Sequence, residues 1–276
     1  MERALSTHVI VGHRLNTVWL ERIRDAGFPL VEIFCARQHF DYRNKEQVNE
    51  LACWFADSDL KLHSLHAPMY SDDVWGRTGP AAVVSITEPS KPRRLKSVDE
   101  IKRALEVAER IPCRYLIQHL GVGGEEYSDG AVEAAFRALE EISLFARHRG
   151  VEVLLENIPN ALSSAERLDY FLNTTHLDLG VCLDTGHANM NEGVATAFDI
   201  LGPRIRSTHI HDNNGVDDVH LYPLLGQGGT IDWAQTMKAL RSRSEQYPLV
   251  LELRETPDLP QALDAAREAA ERLENL

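Results

Sequence analysis

The feature that most constrains this chain is a rhythm. Short apolar runs alternate with amphipathic stretches eight times over 276 residues, at about 34 residues per unit. The runs predict strands at Leu5–Val11, Leu30–Phe34, Leu60–His66, Arg114–His119, Val151–Glu156, Gly180–Asp184, Ile205–His211 and Leu249–Glu252. Helical periodicity predicts helices at about Val18–Ala26, Lys45–Asp57, Ser97–Arg110, Asp129–His148 and Ser164–Leu172. Three more are predicted from His187 to about Leu201, from Asp232 to Arg243 and over Pro260–Leu273. Short apolar strands covered by helices imply a parallel sheet buried on both faces. The count is that of an α/β fold, a (β/α)8 barrel of one domain over residues 1–276. An open doubly wound sheet fits less well, because no GxGxxG follows the first strand.

One stretch breaks the rhythm. Met69 to Pro92 has no clear period and holds Gly76, Gly79, Pro80, Pro89 and Pro92. More than twenty irregular residues in a compact domain usually form a lid or binding loop. Its place after the third strand predicts a loop over the barrel mouth, locally basic through Arg77, Lys91, Arg93 and Arg94.

In a barrel of this kind the chemistry sits at the carboxyl ends of the strands. Here the third strand ends at His66, the fourth at His119, the fifth at Glu156 and the sixth at Asp184, with His187 three residues on. The seventh carries His209 and His211 on one face, followed by Asp212, Asp217, Asp218 and His220, and the eighth ends at Glu252. Any one of these could merely bond a loop carbonyl or cap a helix. Six consecutive strands ending in imidazoles and carboxylates are the donor set of a divalent metal site, which ring closure would gather round one axis.

The motifs LHAP at 65–68, QHLG at 118–121, LENIP at 155–159, CLDTGHAN at 182–189, HIHDNNG at 209–215 and LEL at 251–253 resemble the xylose-isomerase-like TIM-barrel superfamily. That group holds sugar phosphate isomerases and epimerases and the endonuclease-IV-type apurinic endonucleases. Similarity to its ketose 3-epimerases implies one divalent metal, manganese first and magnesium, cobalt or zinc as alternatives, on Glu156, Asp184, His209 and Glu252. His209 is preferred to His211 because it lies three residues before the acidic Asp212. The resemblance also implies that Glu156 and Glu252 move the proton and that His187 contacts substrate. That chemistry removes a proton beside a carbonyl, with the metal as Lewis acid on the enediolate and a carboxylate as acid–base catalyst. The endonuclease branch implies nine ligands to three zinc ions, matched here by His66, His119, Glu156, Asp184, His187, His209, Asp218, His220 and Glu252. Two features count against it. LYPLLGQGG after His220 is long, and the loops lack arrays of Arg, Lys and aromatic residues that would read DNA. A metal-dependent lyase or deglycosidase and a non-catalytic carbohydrate-binding barrel are the remaining alternatives.

Substrate contacts are expected from His66, His119, His187, His211, His220 and Arg254, which shares a strand face with Glu252. Arg254 has an alternative as an ion-pair partner of Glu255 or Asp258. Trp75 in the long loop is a candidate for stacking on a sugar ring, whereas Trp54 and Trp233 read as core. His8 reads more plainly as structural than as a site residue, and Cys182 as packing. A net charge of -13 disfavours a broad polyanion-binding surface. The expected partner is a small sugar or sugar phosphate, not nucleic acid or membrane; an assembly of identical chains is compatible with this. Four dispersed cysteines without a CxxC pair, and a start without a signal-peptide pattern, lead us to expect a cytoplasmic protein.

Overall fold

The structure, a computed structural model, describes residues 1–243, 247–255 and 259–276, with residues 259 and 260 known only as part of a helix. Asp258, one proposed partner of Arg254, lies outside the described residues. The strands are β1 (Arg3–Ser6), β2 (Leu30–Phe34), β3 (Lys61–His66), β4 (Tyr115–His119), β5 (Glu152–Glu156), β6 (Gly180–Asp184), β7 (Ile205–Ile210) and β8 (Leu249–Leu251). Each pairs in parallel with the next, and β1 pairs with β8, so the sheet closes in sequence order. This is a (β/α)8 barrel in a single domain, as the alternation predicts.

The helices are α1 (Thr17–Asp25), α2 (Lys45–Ala56), α3 (Lys91–Leu105), α4 (Asp129–Arg147), α5 (Ala165–Thr174), α6 (Thr185–Met190), α7 (Val194–Leu201), α8 (Trp233–Arg241) and α9 (Leu259–Glu274). Ser, Asn and Asp side chains start most of them by accepting a first-turn amide: Asn16 for α1, Asn44 for α2, Ser128 for α4, Ser164 for α5 and Asp232 for α8. One apolar core fills the space between sheet and helices, and a second, small one inside the barrel consists of Tyr115, Ile117, Leu154 and Cys182. That inner plug confirms Cys182 as packing. Above it the barrel interior turns polar. No described helix is long and apolar enough to cross a membrane.

Three expectations need correction. The first strand stops at Ser6, whose hydroxyl accepts the His8 amide and starts a 3-10 turn over Thr7–Ile10. Helix α3 begins at Lys91, not near Ser97, because a proline in the first turn forfeits no intrahelical hydrogen bond. Lys91, Arg93 and Arg94 therefore belong to that helix, and the irregular segment is shorter than expected. The single helix expected after His187 is two, α6 and α7, broken where Gly193 adopts φ +87°.

Candidate metal centre

The strand ends bring most of the expected side chains to one cavity of about 350 Å³. It is lined by His66, His119, Glu156, His187, Asp218, His220, Glu252 and Arg254, with Phe34, Met69 and Trp75 along one wall and His8 and Glu255 at the rim. His211 does not line it. That residue is fully buried, its ring stacked 3.9 Å from that of His220. The irregular segment contributes Met69 and Trp75; Trp75 stacks on Phe34 at 5.4 Å, and Phe34 on His66 at 4.3 Å. Its backbone is tied to the turn after β2 by Gln38, which accepts the Trp75 amide, and by Arg37, which donates to the Ser71 carbonyl.

The motifs around β6 and β7 interlock. Asp184 accepts the His187 amide at 2.7 Å, capping α6 and setting His187 over the cavity. The Asn157 side chain exchanges two hydrogen bonds with the Asp184 backbone, holding the ends of β5 and β6 in register. Thr185 donates to the carbonyls of His209 and His211, and Asn213 donates to Gly186. Gly186 is required by space: a Cβ there would lie 2.0 Å from the His211 ring. Asp212 holds the loop rather than facing the cavity. It accepts the amides of Asn213, Thr230 and Ile231 and, at 2.6 Å, the indole N–H of Trp233. Its replacement by Ala strands three buried donors, the Asn213 and Ile231 amides and the Trp233 indole N–H. We expect a loss of about 2–4 kcal/mol and a Tm lower by roughly 10 °C in a thermal melt, whereas the exposed Asp217→Ala changes neither.

Ten side chains fall into three groups whose donor atoms lie within 4.8 Å of one another. Glu156, Asp184, His209 and Glu252 form the deepest. His66, His119 and Glu156 form a second, and His187, His211, Asp218 and His220 a third. His209 therefore groups with all three expected carboxylates, whereas His211 reaches Asp184 alone, its Nε2 3.1 Å from Oδ2. Convergence into three groups, with Glu156 shared by two, exceeds the single site expected from the epimerase resemblance and includes all nine residues of the endonuclease pattern.

In the deepest group His209 Nδ1 lies 3.3 Å from Glu156 Oε1, 3.3 Å from Glu252 Oε2 and 3.9 Å from Asp184 Oδ2. Four donors about 2.1 Å from one ion lie roughly 3.4 Å apart, so these separations match a coordination sphere. His209 Nδ1, Glu156 Oε1 and His187 Nδ1 are buried and make no hydrogen bond among the described residues. Orphaned buried polar atoms facing one another are costly unless an ion joins them, so the donor set fits a divalent metal. At Glu156, Asp184, His187 and His209 burial opposes the charge, raising the carboxyls and lowering the imidazoles, but mutual attraction overrides it. Glu156 is held well below the usual carboxylate range against its burial by His209 and His119, and His220 is pushed up to about 9 against its own by Asp218 and Glu252. His220 also has φ +46°, a left-handed backbone costly for a residue with a side chain.

Two further side chains belong to the site, His8, which the sequence favoured as structural, and Glu32, which the sequence did not single out. His8, on the 3-10 turn, donates from Nδ1 to the Leu253 carbonyl at 2.9 Å. Burial, aided by His220, keeps it well below the ordinary imidazole value, so it is neutral at pH 7 with its Nε2 lone pair available at the rim. Glu32, in the middle of β2, is completely buried and bonds His209 from below. Its only sequence signal is an acid inside the apolar run LVEIF. The alternative pairing of Arg254 with Glu255 is not formed: the Glu255 carboxylate lies 2.8 Å from His13 Nε2 and accepts the Gly12 amide.

The sequence profile of the xylose isomerase-like TIM barrel family matches residues 20–276. A D-psicose 3-epimerase from Enterocloster bolteae is 24% identical over 252 residues, 85% of this chain and 75% of its own length. A probable endonuclease 4 from Haloquadratum walsbyi is 28% identical over 149 residues, 50% of this chain and 51% of that protein. The crystal structure of the IolI protein with a bound zinc atom superposes with a TM-score of 0.80 at 20% identity, over 99% of this chain and 98% of the other. At that identity the likeness speaks for the fold alone.

Proposed function

We propose that this chain, which belongs to the xylose isomerase-like TIM-barrel family, is a divalent-metal-dependent isomerase or epimerase of a sugar or sugar phosphate. The observation that carries this reading is the deepest donor group, where His209 Nδ1 faces three carboxylates and two of them, Glu156 and Glu252, also line the cavity. The D-psicose 3-epimerase relative and the zinc in IolI support it. Glu156, Asp184, His209 and Glu252 would hold the ion, with manganese as our first choice. Bound there, it would supply Lewis acidity toward a substrate carbonyl and its neighbouring hydroxyl.

The remaining steps belong to the side chains. One of Glu156 and Glu252 takes the proton from the carbon beside the carbonyl, and the other returns one to the same or the adjacent carbon. Asp218, 3.2 Å from His187 Nε2, fixes the His187 ring over the cavity with Nδ1 3.3 Å from Glu156 Oε1. Arg254 and the His8 lone pair offer the rim a donor set and an acceptor for hydroxyls or a phosphate. Trp75 and Phe34 provide an apolar wall for the C–H face of the ring and help exclude water. Trp75→Ala is therefore expected to raise KM about ten-fold, about 1.4 kcal/mol, with a smaller change in kcat. Steady-state kinetics on the substrate that exchanges best would measure both.

A second reading is favoured by one observation: all nine donors of the endonuclease pattern lie within the three groups. That reading is phosphodiester hydrolysis at abasic DNA on several zinc ions. The net charge of -13 weighs against it, since a DNA-gripping surface needs cations that release counterions. Incubating the manganese-loaded protein with free and phosphorylated ketoses in heavy water, beside an abasic-site cleavage assay, separates the two.

A further inference from the structure

We propose that Glu32 is a positioning residue for the metal site: it fixes the tautomer and direction of His209 from inside the barrel. The inference rests on the metal reading above. Glu32 is fully buried where the register between β2 and β3 shifts, between Val31 and Glu32. Such irregularities re-aim side chains beside functional sites. Both Glu32 oxygens lie 3.1 Å from His209 Nε2. The Ser64 hydroxyl donates to Oε2 at 2.7 Å, and Glu32 pairs with Ser64 across the two strands.

The consequence is directional. A carboxylate can only accept, so the His209 proton facing it sits on Nε2. The opposite nitrogen, Nδ1, then presents its lone pair to the gap between Glu156, Glu252 and Asp184. A carboxylate behind a ligand imidazole also raises its donor strength and prevents the ring from turning away. A residue that only filled space would not need an acid on an otherwise apolar strand, nor a hydroxyl to hold that acid in place. The sequence separation of 177 between Glu32 and His209 makes this a device of ring closure, not of a local motif.

The test is metal affinity, read by titration calorimetry with manganese and by the visible absorption of the cobalt form. Glu32→Gln keeps the shape and an accepting oxygen but removes the charge, and is expected to weaken manganese binding roughly 10–100-fold and shift the cobalt bands. Ser64→Ala leaves Glu32 in place but unanchored, and is expected to weaken binding by a factor of about three to ten. Wild-type protein that binds neither ion overturns the metal reading itself. Wild-type protein that binds, with both folded variants matching it within two-fold and showing unchanged cobalt bands, overturns the role of Glu32 alone. Should Glu32→Gln fail to fold, Ser64→Ala decides by the same criterion.

Discussion

Glu252→Gln is expected to slow exchange of the carbon-bound proton by at least about 10²–10⁴-fold, the range for loss of a positioned acid–base group. The amide cannot take a proton, and it also replaces one of the three carboxylates facing His209 Nδ1, so the loss combines a missing base with a weakened ligand. The fold should survive. Glu252 follows the last residue of β8, and the backbone amide that it donates to Ile210 is untouched. Deuterium uptake followed by NMR on matched amounts of wild-type and variant protein measures the effect. Exchange within two-fold of wild type would remove Glu252 from the reaction.

Removing the metal is expected to have the second large effect, and to touch stability as well as rate. Glu32, Glu156, Asp184 and Glu252 crowd round one imidazole, all of them buried. Without a cation, the ion-pair partners of these acids among the described residues are histidines. Burial raises the Glu32 carboxyl, but His209 pulls harder and holds it at about 2, so Glu32 keeps its charge at neutral pH. An ion that binds the folded state alone stabilises it by about 2.7 kcal/mol at a hundred times its Kd. For a chain of this size that is a Tm difference on the order of 5–10 °C. Chelator-treated protein should melt earlier by about that amount and lose exchange, and manganese should restore both. A melt indifferent to chelator and to added metal would count against the site.

Much of this was legible in the sequence because barrel architecture writes itself locally. Each strand end is a short motif, and His66, His119, Glu156, Asp184, His209 and Glu252 occupy the positions where strand counting puts them. Their mutual geometry was not legible, because it depends on ring closure. Nothing near Glu156 in sequence announces that its two oxygens face His209 and His187 on one side and His119 on the other. Glu32 was invisible for the same reason, since its meaning lies across the barrel. His8 was misplaced because Ser6 ends the strand early by capping a turn, a choice the apolar run through Val11 conceals. His211 shows the converse. Alternation puts it on the His209 face, but it does not line the cavity: its Nε2 bonds Asp184 and its ring stacks on His220.

On the proposed function, these residues move a proton beside a carbonyl. The most direct measurement is deuterium incorporation from heavy water into a panel of free and phosphorylated ketoses by the manganese-loaded protein, with abasic DNA cleavage assayed on the same preparation. We expect deuterium at a carbon adjacent to the carbonyl of at least one sugar, dependent on metal and abolished by Glu252→Gln, with no DNA cleavage. Zinc-dependent cleavage of abasic DNA that falls steeply with salt, with no exchange in any sugar, would contradict it and assign the three donor groups to phosphodiester hydrolysis.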